Sequence, residues 1–414
     1  MTARACATLC CMILNGGCAP GPGQSDGDDT ADPGARFSDD RSQGSTTHAL
    51  TPPQLVASAQ AFPQAGSVPL TVDLRSKDSL GARTLTHWDL GDGHGAWGEW
   101  VQHSYLSAGS YGVTLEIIDR FGQRDQETLT IDVARATCPS VGEASELGLV
   151  EYSEIDEASG LVDSRLNPGV LWVHNDSGDG PYLYALSHSG AHLGVWEIDG
   201  ISARDWEDLA AGRDPITGEH MLYVGDIGDN SESRDSILVY RLAEPLVSID
   251  GEDQGGSVTA AVLELDYPND ASHNAETLMV DPVTDDIYIV TKSYQGDTGI
   301  FRKPAPHSDG ERVTLEEVAW LDFSADPLSG NATTGGAFSP LGDRLAIRTY
   351  GTTAYVWLRD GADSMEQVLA SEPCALSLPS ERQSESLEFT VDGGALLSIS
   401  EGEAQPINYI PLLR

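Results

Sequence analysis

Acidic residues recur at matching places from residue 157 onward in this 414-residue chain. Short segments that lead into apolar strands begin Glu157-Ala-Ser-Gly160, Trp206-Glu-Asp-Leu209, Ala275-Glu-Thr-Leu278 and Ser384-Glu-Ser-Leu387, while a fifth, Thr334-Gly-Gly-Ala337, carries no acid. If such segments line one channel, Glu157, Glu207, Glu276 and Glu385 form a carboxylate ring. Crowded carboxylates repel and shift their pKa values upward unless an arginine or a cation compensates. Arg204, Arg348 and Arg382 are candidate partners, and a hard cation such as Ca²⁺, which takes six to eight oxygens, is the other solution.

The richest stretch is Asn175-Asp-Ser-Gly-Asp-Gly180, then Asp205-Trp-Glu-Asp-Leu-Ala210, then Gly225-Asp-Ile-Gly-Asp-Asn230. Together these patterns nominate Asp205, Glu207, Asp208, Asp226, Asp229, Glu276 and Glu385 as metal ligands. Asn175, Asp176, Asp179, Asn230 and Arg348 are nominated for contact with a ligand. The competing reading is that Asp and Asn merely satisfy backbone groups in turns.

Several literal motif matches fail on context. The Asn175 segment mimics the start of an EF-hand loop, but Leu186 stands where the closing glutamate belongs. Gly23-Gln-Ser-Asp-Gly27 fits G-x-S-x-G, yet that elbow needs a strand-to-helix turn, which a stretch between Pro22 and Pro33 cannot supply. Gly93-His-Gly-Ala-Trp-Gly98 fits G-x-G-x-x-G but has no helix after it. There is no H-E-x-x-H, no P-loop and no Cys/His zinc spacing. His174 and His273 adjoin acidic motifs and are candidate general bases, against a structural role. No catalytic residue is assigned, and a hydrolase is the enzyme class to test.

The elements that must position these residues are strands. Val170-Leu-Trp-Val-His174, Met221-Leu-Tyr-Val224, Asp286-Ile-Tyr-Ile-Val290, Arg344-Leu-Ala-Ile-Arg348 and Ala395-Leu-Leu-Ser-Ile399 are short apolar runs without helical periodicity. Each belongs to a repeated strand–turn–strand unit, the pattern of four-stranded propeller blades. Residues 138–414 therefore read as a β-propeller with six blades favoured, five or seven being the alternatives. The Asn175–Asn230 motifs resemble a family of uncharacterised exported bacterial propellers grouped with phytase-like and esterase-like ones. A phytase would need Lys and Arg facing phosphates, and this region is poor in both.

Residues 50–135 alternate at period two between turns, which argues for a β-sandwich. They also carry Trp88-Asp-Leu-Gly-Asp-Gly93, His103-Ser-Tyr105, Ala108-Gly-Ser-Tyr-Gly-Val113 and Asp119-Arg-Phe-Gly122. In that order they resemble the PKD signature, with Leu90 and Ala108 in place of the usual Phe and Pro. The resemblance implies an all-β, immunoglobulin-like sandwich that serves as an extracellular spacer or adhesion module.

The balance of 23 Lys+Arg against 65 Asp+Glu, a net charge of −42, argues against nucleic acid as partner, because counterion release needs basic residues. It equally argues against docking on anionic lipid. Residues 1–18 read as a secretory signal, with a basic start, an apolar run and small residues before Cys18. This segment resembles a bacterial lipobox and makes Cys18 the expected lipidation site and the sole membrane contact. Residues 19–49 read as an acidic Gly/Pro/Ser tether. Export would permit a disulfide, and Cys138 and Cys374 flank the start and end of the ring. The expected protein is exported, on the outer membrane, cell surface or secreted. Its acidic propeller would bind a cation, a glycan or a protein, with metal-assisted hydrolysis and an envelope scaffold as the rivals.

Overall fold

The computed structural model describes residues 55–413, apart from residues 77, 78, 80–82, 177, 215, 252, 253, 325–330 and 362. The expected signal, the tether and Cys18 lie outside the described residues. Among the described residues, no helix is long and apolar enough to cross a membrane. Among the described residues, the regular secondary structure is almost entirely strand.

The N-terminal sandwich packs two sheets. One runs Gln60–Phe62, Leu70–Arg75, Trp100–Tyr105; the other runs Ala65–Ser67, Arg124–Ala134, Gly109–Asp119, Arg83–Asp89, Gly95–Trp97. Leu70–Arg75 alternates buried and less buried residues, as a strand with one core face must. Val72, Leu74, Trp88, Val113, Leu115, Ile117 and Ile131 fill the space between the sheets. Trp88 donates its indole N–H to the Gly98 carbonyl at 3.0 Å, so the largest core side chain leaves no orphan donor.

After this domain, five sheets surround a common axis in the described residues. Their innermost strands are Ala158–Asp163, Trp206–Arg213, Ala275–Val280, Thr333–Phe338 and Glu388–Phe389, here blades 1 to 5. Each inner strand packs on the next, and the fifth meets the first, which closes the ring. Among the described residues there are five blades, one of the alternatives to the six favoured from length. The residues that left room for a sixth are spent on extra edge strands: Gln254–Val258 adds in parallel to blade 1, and Arg312–Thr314 to blade 2.

Blade 5 takes its outer strand from the start of the domain. Ser145–Leu149 pairs with Pro406–Leu413, so the two ends of the propeller share one sheet. Cys138 and Cys374 are disulfide-bonded with Cα atoms 5.5 Å apart. Cys374 lies in the outer strand of blade 4, Cys374–Ser377, so the bond fastens the closing segment to its neighbour. On the chain-entropy account, a loop of 236 residues stabilises by roughly 5 kcal/mol at most.

The sandwich touches the propeller at one end. Asp360, just past the third strand of blade 4, accepts the Ala108 amide at 3.1 Å, and the Gly361 amide donates to the Leu106 carbonyl at 2.9 Å. In an up-and-down blade, the third strand finishes at the end opposite the start of the first. The mouth where the inner strands begin therefore points away from the sandwich.

Candidate functional site

The start of each inner strand carries a bulge. Pairing with the second strand slips between Ala158 and Leu161, Trp206 and Asp208, Ala275 and Thr277, and Thr333 and Gly335. In blade 5, the Ser384–Ser400 bridge precedes the Glu388–Leu397 pair with the same one-residue excess. A bulge adds a residue and re-aims its side chain. The bulged residues, in ring order, are Ser159, Glu207, Glu276, Thr334 and Glu385, each at most 4% exposed.

This register corrects the carboxylate ring drawn from sequence. Glu157 is exposed and lies two residues before the bulge, at the place of Asp205 and Asn274. Ser159 holds the matching position in blade 1, where its hydroxyl donates to the Glu207 carbonyl. The motif in blade 4 is likewise offset by one: Thr334 is the bulged residue, and its hydroxyl donates to the Ser384 carbonyl at 2.5 Å. A one-residue slip moves a side chain to another face, and the sequence contains no mark of the bulge.

Carboxyl oxygens of Asp176, Asp205 and Glu207 lie within 4.8 Å of one another. Gly228 makes the approach of two of them feasible. A Cβ there would stand 2.1 Å from Glu207 Oε1 and 2.5 Å from Asp205 Oδ2. The buried carboxyl of Glu207 also faces that of Glu276. Burial, then the charges of Glu276 and Asp176, push Glu207 well above the usual carboxylate range. Burial also raises Glu276, with Lys292 opposing from 2.7 Å. Burial raises Asp205 too, with Arg234 opposing and Asp226 adding to the shift.

Lys292 continues to the Tyr350 hydroxyl at 3.1 Å, and Tyr350 in turn hydrogen-bonds to Glu385. Glu385 is pushed up to about 7 by burial, with Glu276 adding and Lys292 opposing. Its Oε2 is buried without a hydrogen-bond partner. Glu401 also rises to about 7, from burial and then from Glu385, Asp176 and Glu157. Among the described residues, the mouth brings together the carboxyl groups of Asp176, Asp205, Glu207, Glu276, Glu385 and Glu401, with Lys292 paired to Glu276 and Arg234 acting on Asp205.

Of the nominated residues, Asp176, Asp205, Glu207, Glu276 and Glu385 come together at this mouth. The remainder do other work. Asp208 is buried further along the channel, accepting the Leu209 and Leu278 amides at 2.8 and 2.9 Å. Asp226 is paired with Arg234 at 2.8 Å, and Asp229 accepts the Ser233 and Arg234 amides at 2.6 and 2.7 Å. Asn175 and Asp179 shape one loop: Asn175 donates to the Glu154 carbonyl and to Asp179, which also receives the Tyr184 hydroxyl. Exposed Asn230 accepts from Asn274 at 3.4 Å. Arg348 is fully buried behind Glu385, bound to Glu381 at 2.8 Å and to the Ser386 carbonyl at 2.7 Å. Buried His174 packs edge-on to Trp206, and His273 packs on Tyr267 and Phe301.

Lys292, Tyr350 and Glu401 were missed. All three occupy the residue just beyond the last pair of the second strand, as Asp176 does in blade 1. The parallel triplets His174-Asn-Asp176, Val290-Thr-Lys292, Arg348-Thr-Tyr350 and Ile399-Ser-Glu401 carry that signal. Reading it requires knowing that the residue after a polar one tips into the mouth.

Residues 54–133 match the PKD domain family. The chain is 29% identical to the PKD1 domain of the Vibrio cholerae metalloprotease PrtV, over 19% of this chain and 95% of that one, with a TM-score of 0.17. It is similar at 14% identity to a gluconolactonase of Xanthomonas campestris, over 83% and 90% of the two chains, with a TM-score of 0.34. It is similar at 11% identity to the WD40 repeats of RRP9, over 67% and 99%, also with a TM-score of 0.34. The chain therefore carries a PKD domain at residues 54–133, followed by a ring of sheets whose own pairing makes it a β-propeller.

Proposed function

We propose that this is an extracellular binding protein whose propeller mouth holds a hard divalent cation, Ca²⁺, and through it an oxygen-rich ligand such as a glycan. The observation that carries the reading is the Asp176–Asp205–Glu207 nest beside the unpartnered Oε2 of Glu385. Two ligands at opposite sides of a Ca²⁺ ion lie about 4.6–5.2 Å apart, given Ca–O distances of about 2.3–2.6 Å. The nest's three carboxyl oxygens, all within 4.8 Å of one another, are close enough to share one such ion, and Glu385 has a lone pair to offer. A bound ion also relieves the repulsion that holds protons on these buried carboxyls. On this reading the PKD domain is a spacer behind the propeller, and a lipid on Cys18 would attach the whole to the envelope.

Thermal unfolding of chelated protein at pH 8, with and without millimolar Ca²⁺, tests the proposal. A rise in melting temperature that Glu207→Gln abolishes is expected; no rise in the parent chain rejects the cation site. Glycan-array binding that requires Ca²⁺ tests the second half.

One observation favours a hydrolytic alternative: the buried carboxyls of Glu207 and Glu276 stand together at the nest, and burial and the charge of Glu276 hold Glu207 well above the usual carboxylate range, an arrangement that suits general acid–base work in a metal-assisted hydrolase. Turnover of a generic ester, lactone or phosphoester, lost in Glu276→Gln, would select it over simple binding.

A further inference from the structure

A second cluster, of different chemistry, sits in the PKD domain. Asp92 Oδ2 lies 2.6 Å from His103 Nε2, and Asp92 Oδ1 lies 3.2 Å from His94 Nδ1. One ligand atom from each of the three residues falls within 4.8 Å of the others. From the juxtaposition of these two imidazoles and one carboxylate we infer that Asp92, His94 and His103 form a binding site for a borderline first-row cation of the Zn²⁺ class.

Two of the ligands are already held. Asp92 sits in a tight turn closed by the Leu90 amide on the His94 carbonyl at 3.0 Å. Gly91 and Gly93 supply its positive φ angles of 80° and 92°. The buried Tyr105 hydroxyl donates to the Leu90 carbonyl at 2.9 Å and fixes the turn from the other sheet. His103 lies two residues earlier on that strand, its ring edge-on to Tyr105 at 4.8 Å. The His103 and Asp92 side chains are each 18% exposed, while that of His94 is 73% exposed and free to swing inward.

Tetrahedral Zn²⁺ with ligands at about 2.0–2.2 Å needs neighbouring ligand atoms about 3.3–3.5 Å apart. His103 meets one Asp92 oxygen at 2.6 Å and His94 meets the other at 3.2 Å, so small side-chain rotations that open these contacts would admit the ion. Three ligands leave the fourth position to water on the exposed His94 side. The ion would join the turn after Arg83–Asp89 to the strand Trp100–Tyr105, which belong to different sheets. Softness separates this site from the propeller mouth: imidazole nitrogen suits Zn²⁺, Cu²⁺ and Ni²⁺, whereas an all-oxygen cup suits Ca²⁺.

The test uses the full chain, stripped with chelator and titrated with ZnCl₂ in a non-coordinating buffer, followed by calorimetry. Co²⁺ binding, read by visible absorption, reports the ligand set, because thiolate ligands add intense near-ultraviolet bands that nitrogen and oxygen ligands do not. The expected result is one Zn²⁺ per chain without thiolate bands, with affinity falling at least roughly tenfold in His94→Ala, the loss that even an outer-shell partner can cause. His94 is exposed, so the apo variant should melt with the parent chain, and its Ca²⁺ response should be intact. Zn²⁺ affinity unchanged in His94→Ala, thiolate bands, or no stoichiometric binding would overturn the assignment.

Discussion

The two ends of the propeller use the same side chains to opposite effect. At the end facing the PKD domain, each of the buried acids Asp163, Asp281, Asp343 and Glu244 meets a donor. Asp163 accepts from His188 at 2.8 Å and from the Val391 amide at 2.9 Å. Asp281 is paired with Arg359 at 2.7 Å, and Asp343 accepts from Ser339 at 2.6 Å and Arg344 at 3.2 Å. Glu244 receives the Trp172 indole at 3.0 Å and the Asn167 amide at 3.1 Å. At the mouth, Glu207 and Glu276 face each other, Glu385 keeps a bare oxygen, and Lys292 serves both Glu276 and Glu385. Buried acids whose donors come from the fold hold the blades together. Those left short of donors crowd together at the mouth, where the proposed cation would compensate them.

The largest expected effect tests the closed end. Asp281→Ala leaves the Arg359 guanidinium buried without its partner, which should cost about 3–5 kcal/mol in denaturant unfolding. A cost below about 1 kcal/mol would erase the contrast between the ends.

The next is a pH effect at the mouth. The folded protein keeps the proton of Glu385 until about pH 7, while the unfolded chain releases it near 4.5. The folded state binds more protons between those values, so stability falls as pH rises through that window. For Glu385 the loss is on the order of 2–3 kcal/mol, and Glu401 acts in the same direction. Melting of chelated protein should therefore drop from pH 5 to pH 8, and Ca²⁺ should restore it at pH 8 but not at pH 5. A flat profile would show the mouth to be as well compensated as the other end.

Glu385→Gln sharpens the point by removing a charge without removing bulk. Apo stability at pH 8 should hold or rise by about 1 kcal/mol, while the Ca²⁺ response shrinks. The smallest change in stability should come from Gly228→Ala. Its methyl displaces only the tips of Glu207 and Asp205, so melting should move little while Ca²⁺ stabilisation is lost. Retained Ca²⁺ stabilisation would place the ion elsewhere.

Much of the architecture was legible before any coordinates. The Trp88 and His103 motifs marked the PKD domain because core tryptophan and turn glycines leave a fixed spacing. Glu207, Glu276 and Glu385 were found because each precedes an apolar strand in a repeated unit. The Cys138–Cys374 bond followed from where a ring must close. What escaped was register. Glu157 and Ser159 differ by two residues in sequence, and a bulge decides which of them enters the channel. Asp226 reads like Asp205 in a list of acids, yet Arg234 claims it.

The sequence by itself determined the strands, the repeat and the presence of excess carboxylate, because periodicity, turn chemistry and charge are local and additive. Only the tertiary structure decided the register of the bulges, which acids are answered by arginine, and which crowd together at the mouth. Those outcomes depend on distances between residues far apart in the chain, and at a spacing of a few ångströms one slipped residue decides whether a carboxylate enters the mouth.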